Sequence, residues 1–261
     1  MTNLPIPVIL LVFVLGAVIG SFLNVIIFRV PRKLPFARGR SSCPHCGHLI
    51  AWYQNIPLVS YVALRGKCAH CKGSISLRYP VVELFTALAF VGWVGRLGLT
   101  LEAAGLTYLS AVLICVFFID WEFQIIPDLL TYPSLALGLI WALFSPLGIV
   151  DSLVGAVVGG GGLLFVALAG DWLFKKESMG GGDIKLAAVL GAFLGWRLVV
   201  LVFFLSALLG AVVSIAWLLI SREMRQKRMI PFGPFLAAAA VISALWGPEL
   251  ILWYWQKFWM I

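Results

Sequence analysis

Long apolar segments recur along the whole chain and limit its fold more than any other feature. Eight can be marked: Val8–Phe28, Val81–Gly95, Leu101–Ile119, Leu129–Leu147, Ile149–Gly170, Ile184–Gly195, Leu198–Ile220 and Ile230–Leu245. A helix needs about 20 apolar residues to cross a bilayer, with about 17 as a common lower limit. Most segments reach that length, and the second and sixth would extend into their flanks or start inside the membrane.

Composition supports the same conclusion. Only 11% of the residues are charged, against about 25% in soluble domains, so polar side chains cannot cover this much apolar surface. The sequence therefore predicts an all-α polytopic membrane protein with about eight transmembrane helices.

The lysine and arginine residues predict which face each loop occupies. Nine lie in residues 29–80, three in residues 171–185 and four in residues 221–229, together sixteen of the nineteen in the chain. With eight crossings these stretches share one face. Since cytoplasmic loops are enriched in Lys and Arg, we expect that face to be cytoplasmic and both termini to lie outside. A nucleic-acid surface is the alternative for a chain of net charge +8. The Lys and Arg residues, however, are concentrated in the loops of one face, as membrane topology predicts.

The first apolar segment is predicted to be retained. No lysine or arginine precedes it, whereas a cleaved signal peptide begins with a positively charged region. Residues 1–28 are then the first transmembrane helix, residues 29–80 a cytoplasmic loop and residues 81–261 a membrane-embedded bundle.

Four cysteines in the loop form two Cys-x-x-Cys pairs, "CPHC" and "CAHC". Two such pairs place four thiolates around one tetrahedral ion, most often zinc. Disulfides are disfavoured in the cytoplasm, although reversible disulfides or unligated thiols are the alternative. The spacing predicts a structural Zn2+ site formed by Cys43, Cys46, Cys68 and Cys71.

Two acidic motifs lie at the ends of apolar segments. "FFIDWEFQIIPD" places Asp120 at the end of the third segment, and "MGGGD" places Asp183 at the start of the sixth. On the topology above, both lie near the cytoplasmic boundary and could face one another across a bundle. Two close carboxylates cannot both ionise cheaply, so they share a proton and supply an acid and a base together. Activation of water against an amide requires that combination.

The glycines before Asp183 suit a cavity. Gly180, Gly181 and Gly182 allow positive φ and close backbone approach, and irregular backbone at membrane depth is tolerated only where it lines a cavity. Lys185 would bias the aspartate pair or meet the lipid head groups. The alternative is that Asp183 caps the N-terminus of a helix, a role partly compatible with the first.

Glu83 is an acid inside an apolar segment, close to the polar loop. Such a residue is a candidate functional residue by default, but it could equally snorkel to the surface or pair with Arg78. Asn24 raises the same question, although its neighbours Gly20 and Ser21 more often indicate close helix packing.

Together these features resemble the bacterial type IV prepilin peptidases, which are related through a Gly-x-Gly-Asp motif to other intramembrane aspartyl proteases. The resemblance covers nearly the whole chain. It rests on "GSFLNVIIFR" at 20–29, the double Cys-x-x-Cys loop at 40–87, "DWEFQIIPD" at 120–128, "MGGGDIKL" at 179–186 and "PFGPFLAAAA" at 231–240.

The resemblance also assigns residues. The family's catalytic aspartates correspond to Asp120 and Asp183, its cysteine quartet to the four loop cysteines, and residues 81–261 to the aspartyl protease bundle. Asp128, in "IPD", matches a recurring family position. We expect it to support the site, capping the fourth helix.

The resemblance implies a bifunctional enzyme of the bacterial inner membrane. Type IV prepilins and type II secretion pseudopilins carry a short basic leader, a glycine and then usually phenylalanine at the start of a hydrophobic helix. The family's enzymes cut after the glycine on the cytoplasmic side and methylate the new α-amine with S-adenosylmethionine. An α-amine has a pKa of about 7.7–8.0, so a useful fraction is neutral near pH 7 and methyl transfer needs little beyond positioning.

The sequence carries no glycine-rich fingerprint for S-adenosylmethionine. The polar loop is therefore the candidate methyltransferase region, with Asn55, Gly66 and Glu83 as candidate cofactor-binding residues.

Other functions stay open on the residues alone. A peptidase without methyltransferase activity is the nearest. A transporter also uses intramembrane acids and broken helices, although no paired inverted halves are visible. A zinc-dependent membrane scaffold would leave the aspartates incidental. The expected partners are prepilin or pseudopilin substrates and the lipid bilayer, with no nucleic acid.

Overall fold

A computed structural model describes residues 4–35, 39, 41–176, 179–220 and 231–258 of the chain. Its helices are α1 (Ile6–Arg29), α2 (Val59–Ala63), α3 (Arg78–Leu97), α4 (Leu101–Phe123), α5 (Asp128–Ala142), α6 (Ile149–Phe174), α7 (Gly181–Ile220) and α8 (Gly233–Phe258), with a 3-10 turn at Trp52–Asn55. Six of them, α1, α3, α4, α6, α7 and α8, are long and apolar enough to cross a membrane. The prediction of an all-α, multi-pass membrane protein is confirmed. The basic stretch 221–229 lies outside the described residues, as do Arg38 and Arg40.

Helix α7 contains two of the predicted apolar segments. Its backbone leaves the helical region at Gly195, where φ is 78° and ψ is 169°. Gly159 of α6 lies against both Ala187 and Val199, which come before and after that break. The chain therefore reverses at Gly195, and the two arms of α7 lie side by side along α6. Residues 181–194 form the first arm of α7.

Helix α5 is short for a membrane span. It has 15 residues, which at about 1.5 Å per residue gives about 22 Å, against about 30 Å for the hydrocarbon core. The fourth apolar segment was predicted to run to Leu147, but the helix ends at Ala142. Short segments are accommodated by local thinning of the bilayer.

The chain forms two compact units, Met1–Cys115 and Val116–Ile261. In the first unit α1 packs closely on α3. A Cβ on Gly20 would lie 2.7 Å from the Cα of Glu83, so the glycine permits contact between backbones. One turn further along α1, Asn24 donates through Nδ2 to the carbonyl oxygen of Tyr79 at 3.1 Å. The expectation of close helix packing around Asn24 is confirmed.

In the second unit the first arm of α7 is held against α6 by backbone contact. Gly155 and Gly191 approach so closely that a Cβ on either would overlap the backbone of the other. Beside them, Ser152 donates from Oγ to the carbonyl oxygen of Ala192 at 2.7 Å. These contacts fix the rotation of the arm whose first turn carries Asp183.

Candidate active site and metal centre

Asp120 lies in the last turn of α4, with 6% of its surface exposed. The apolar segment was predicted to end just before it, but the helix continues to Phe123. Its Oδ2 accepts a hydrogen bond of 2.9 Å from the backbone N–H of Gly233, the first residue of α8. This carboxylate is therefore held by a donor 113 residues away in the sequence.

Asp183 lies in the first turn of α7. Because α7 begins at Gly181, Asp183 is its third residue, and the alternative that Asp183 is the N-cap is wrong. Its N–H donates to the carbonyl oxygen of Gly180 at 3.1 Å. Its Oδ1 is buried and has no hydrogen-bond partner among the described residues.

The two aspartates come together in the second unit. Asp120, on α4, and Asp183, on α7, are near enough for their charges to interact. This is the proximity that the sequence led us to expect. Two carboxyl groups in such surroundings favour a single shared negative charge, because a second one would be repelled and poorly solvated. The arrangement can therefore accept one proton and donate another in the same reaction.

The glycines before Asp183 act by close approach. A Cβ on Gly182 would lie 2.9 Å from the Cβ of Ile126, so the start of α7 rests directly on the segment between α4 and α5. A Cβ on Gly180 would lie 3.4 Å from Oδ2 of Asp183. The positive-φ glycines of the described chain lie elsewhere, so the left-handed conformation that these glycines allow is not used.

Lys185 and Asp128 form an ion pair. Lys185 Nζ lies 2.6 Å from Asp128 Oδ1 and 5.1 Å from the centre of the Tyr132 ring. Lys185 thus holds the start of α7 to the start of α5. The predicted capping role of Asp128 is wrong, since the N-cap of α5 is Pro127 and no side chain caps it.

The four loop cysteines converge on one point in the first unit. All their Sγ atoms lie within 4.8 Å of one another, and those of Cys43 and Cys71 are 3.9 Å apart. A tetrahedral ion with Zn–S bonds of about 2.3 Å requires sulfur atoms about 3.8 Å apart. The cluster therefore fits a single metal ion of that kind.

The two Cys-x-x-Cys pairs have matching backbone geometry. The Cys43 N–H donates to the backbone carbonyl oxygen of His48 at 2.9 Å, and the Cys68 N–H donates to the backbone carbonyl oxygen of Gly73 at 2.8 Å. The rings of His48 and His70 stack with centroids 4.5 Å apart. Each pair of cysteines therefore forms its own tight turn, and the two turns face each other.

Backbone dipoles prepare one of these thiols for a metal. The N–H groups of Cys71 and His70 lower the pKa of Cys68 to about 6 because they stabilise its thiolate. At Cys46 the His48 N–H acts in the same direction. Desolvation and the neighbouring thiols outweigh it and raise the pKa of Cys46 to about 11. A bound cation would favour the thiolate at all four positions.

Glu83 is 7% exposed on α3, so it does not snorkel to the surface. Its Oε2 accepts the Leu58 N–H at 2.8 Å, and Ser21 on α1 also hydrogen-bonds to it. Leu58 has φ 62° and ψ −48°, and the Val59 N–H points back to the Pro57 carbonyl at 2.6 Å. This is a γ-turn of the rare, strained kind, which the Glu83 carboxylate holds in place.

The other two candidate cofactor-binding residues have separate surroundings. Asn55 ends the exposed 3-10 turn. Gly66 has φ 67°, and a Cβ there would lie 2.9 Å from the hydroxyl oxygen of Tyr61. A binding role for Asn55, Gly66 and Glu83 stays a prediction.

Two structural residues were missed by reasoning from the sequence. The motif "PFGPF" was a signal for Gly233. Proline is common at the start of a helix, and a glycine just before it has a free N–H and leaves room for a neighbouring side chain. Leu58 carried no signal, since leucine rarely adopts positive φ.

Known proteins resemble this chain over most of its length. Residues 14–97 match the Bacterial Peptidase A24 N-terminal domain, and residues 107–215 match the Type IV leader peptidase family. Relatives named prepilin leader peptidase/N-methyltransferase include one from Pseudomonas aeruginosa, 40% identical, covering 97% of this chain and 95% of the relative. The one from Aeromonas hydrophila is 41% identical, covering 95% and 94%.

A third relative of the same name, from Myxococcus xanthus, is 45% identical over 79% of this chain and 62% of its own length. No solved structure matches the chain. The length and identity of these matches show that this chain belongs to the type IV leader peptidase family.

Proposed function

We propose that this enzyme cleaves the basic leader of type IV prepilins, type II secretion pseudopilins or both, and then N-methylates the new N-terminal residue, usually phenylalanine. The observation that carries the proposal is the meeting of Asp120 from α4 with Asp183 from α7. The printed names of relatives that match almost end to end support both activities.

Cleavage follows from the two carboxyl groups. One accepts a proton from water, and the new hydroxide oxygen bonds to the carbonyl carbon of the leader glycine. The other gives a proton to the carbonyl oxygen, and a proton then passes to the leaving amine as the C–N bond breaks.

The start of α7 is positioned by contacts outside the pair. The backbone contact of Gly182 with Ile126 and the ion pair of Lys185 with Asp128 fasten it to the segment that follows Asp120. Holding reacting groups in a productive arrangement can account for a large share of an enzyme's rate. We assign Gly180, Gly182, Asp128 and Lys185 this supporting role.

A cytoplasmic orientation of the active site and of residues 29–80 suits the substrate. A basic leader stays on the side where Lys and Arg are retained, and the hydrophobic helix that follows it lies in the bilayer. The peptide bond between them then arrives near the membrane boundary. Both termini of the enzyme lie outside in this arrangement.

The cysteine cluster is assigned a structural zinc ion. Four thiolates complete a tetrahedral shell, which leaves no open coordination position for a substrate. Zinc bound there would cross-link the two Cys-x-x-Cys turns and hold the loop in one conformation.

Methyl transfer is assigned to the loop of residues 29–80 together with Glu83. S-adenosylmethionine supplies the methyl group, and the loop positions it against the α-amine of the cleaved substrate. The strained Leu58 turn held by Glu83 supports this assignment, because strained backbone clusters at ligand sites. Residues 1–28 would anchor the loop, and residues 81–261 would contain the protease.

One assay tests both activities. The purified enzyme is incubated with a prepilin and labelled S-adenosylmethionine, and the product is read by mass spectrometry. We expect loss of the leader and gain of one methyl group on the new N-terminus. Cleavage without label would leave the single-function peptidase, and an intact prepilin would contradict the proposal.

A further inference from the structure

The N-terminus of α8 distinguishes the two aspartates. Gly233 gives its N–H to Oδ2 of Asp120, whereas Phe235 and Leu236 donate theirs to the carbonyl oxygen of Phe232. Pro234 has no N–H to give. The first turn of α8 therefore directs the Gly233 donor at Asp120.

The hydrogen bond from Gly233 favours a negative charge on Asp120. A hydrogen bond from a backbone N–H stabilises a carboxylate more than a neutral carboxyl group. Asp120 thus has a fixed donor for its charge in a buried position.

Asp183 is supported less completely. The Gly180 backbone hydrogen-bonds to its carboxyl group, but Oδ1 is buried and has no partner among the described residues. A negative charge there would be partly unsatisfied and would face Asp120. A protonated Asp183, in contrast, has a hydroxyl group ready for an incoming acceptor.

Among the described residues, two charged side chains follow the aspartates closely in the sequence. Lys185 follows Asp183 by two residues, on the other side of the helix, and donates to Asp128. Glu122 follows Asp120 by two residues and is exposed. Neither one reverses the asymmetry between the two aspartates.

We infer that Asp120 is the proton acceptor that activates water, that Asp183 is the proton donor to the substrate carbonyl, and that Gly233 is the positioning residue that sets these roles. The inference rests on the proposed function and deepens it. Water loses a proton to Asp120 and its oxygen bonds to the carbonyl carbon, while the Asp183 proton moves to the carbonyl oxygen. As the C–N bond breaks, Asp120 gives its proton to the amine nitrogen, and a hydroxyl proton of the intermediate returns to Asp183.

The glycine is required by space as well as by its donor. A Cβ at position 233 would lie 2.6 Å from Oδ2 of Asp120 and 3.1 Å from its Cγ. Any other side chain would push the carboxylate away from the N–H.

Two carboxyl-directed reagents test the roles on the unaltered enzyme. An ionised carboxylate opens an epoxide: its oxygen bonds to carbon, the ring C–O bond breaks, and the alkoxide takes a proton from water. A neutral carboxyl group instead gives its proton to a diazoacetyl compound, nitrogen leaves, and the oxygen bonds to carbon. We expect mass spectrometry to find the epoxide ester on Asp120 and the diazo-derived ester on Asp183. The reverse pattern, or both esters on one aspartate, would overturn the inference.

Gly233→Ala tests the positioning role, with Gly161→Ala as its control because a Cβ there meets nothing within 4 Å. We expect kcat for leader cleavage to fall about 10- to 100-fold in Gly233→Ala, the range for loss of a hydrogen bond to a charged group, with KM unchanged. The epoxide selectivity for Asp120 should also be lost. Unchanged kcat and unchanged labelling in a folded Gly233→Ala enzyme would contradict the inference. If the wild-type enzyme cleaved normally but carried the epoxide ester on Asp183 and the diazo-derived ester on Asp120, the assigned roles would be wrong and the proposed function would still hold.

Discussion

The cysteine cluster and the aspartate pair are assembled in opposite ways. All four cysteines come from residues 43–71, and each pair is closed by backbone bonds to residues at most five positions away. The aspartates come from α4 and α7, and the donor to one of them comes from α8. The first site depends on local turns, whereas the second depends on the packing of three helices.

The contrast teaches what each site needs from the rest of the chain. Thiols that converge through local turns need only a cation to hold them together, so the loop can keep its structure if the membrane helices shift slightly. The aspartates depend on glycine contacts between helices, such as Gly155 with Gly191. We therefore expect the two activities to be separable by substitution.

The largest expected effect is on cleavage. Asp120→Asn or Asp183→Asn removes a member of the pair, and cleavage should fall about 10⁴-fold or more, as when one residue of a catalytic set is removed. Cleavage is measured by mass spectrometry of a prepilin substrate. Methylation of a substrate supplied already cleaved should stay near the wild-type rate. Full leader cleavage by either variant would refute the aspartyl-protease assignment.

The next effect is on the metal. The wild-type protein should contain about one zinc ion per chain, as expected for a single site with four cysteine ligands. Changing Cys43 and Cys68 together to serine should remove it. Methyl transfer should fall with the metal, because the two turns lose their cross-link, while cleavage changes less than in the aspartate variants.

Elemental analysis measures the metal, and Cys115→Ser is the matched control because this buried cysteine lies outside the cluster. A wild-type enzyme without metal would exclude the zinc assignment. Equal loss of both activities in the double variant would contradict the separability of the two sites.

The same contrast explains what could be predicted from the sequence. Each Cys-x-x-Cys motif forms one tight turn through local backbone hydrogen bonds. The cluster of Cys43, Cys46, Cys68 and Cys71 could therefore be predicted from the motif. Asp120 and Asp183 could be paired because topology and family resemblance both pointed to one membrane face. Gly233 could not be assigned to Asp120, because no local pattern encodes which helix start meets which carboxylate.

Helix ends were predicted less well for a related reason. Hydropathy does not distinguish a lipid-facing turn from the end of a helix, so α5 was predicted too long and α8 too short. The break between the sixth and seventh segments was predicted correctly, since Gly195 allows the positive φ that the reversal uses.

A smaller effect should sharpen the assignment of methyl transfer. Glu83→Gln replaces a charged acceptor of the Leu58 N–H with a neutral one, and a charge-assisted hydrogen bond is worth roughly twice a neutral one. We expect methyl transfer to fall about tenfold, corresponding to a loss of about 1.4 kcal/mol, and cleavage to be unchanged. The label from S-adenosylmethionine provides the measurement.

Leu58→Gly is the companion to Glu83→Gln. It keeps the N–H and relieves the strained φ of 62°, so it should retain methyl transfer. If Glu83→Gln reduced cleavage and methylation equally, Glu83 would have a general structural role in the first unit instead.

The smallest expected effect concerns the ion pair beside the aspartates. Lys185 and Asp128 are partly exposed, with 34% and 57% of their side-chain surfaces accessible, and exposed pairs contribute little because water and salt screen them. Lys185→Met should therefore lower cleavage less than about fivefold, mainly through poorer positioning of the first arm of α7. The double variant Asp128→Lys with Lys185→Asp restores an ion pair with the two charges exchanged. It should cleave faster than either single variant if the pair acts only by holding the two helix starts together. If either single change abolished cleavage, Lys185 or Asp128 would act on the reacting groups themselves, and the division between a proton-transferring pair and its supports would have to be redrawn.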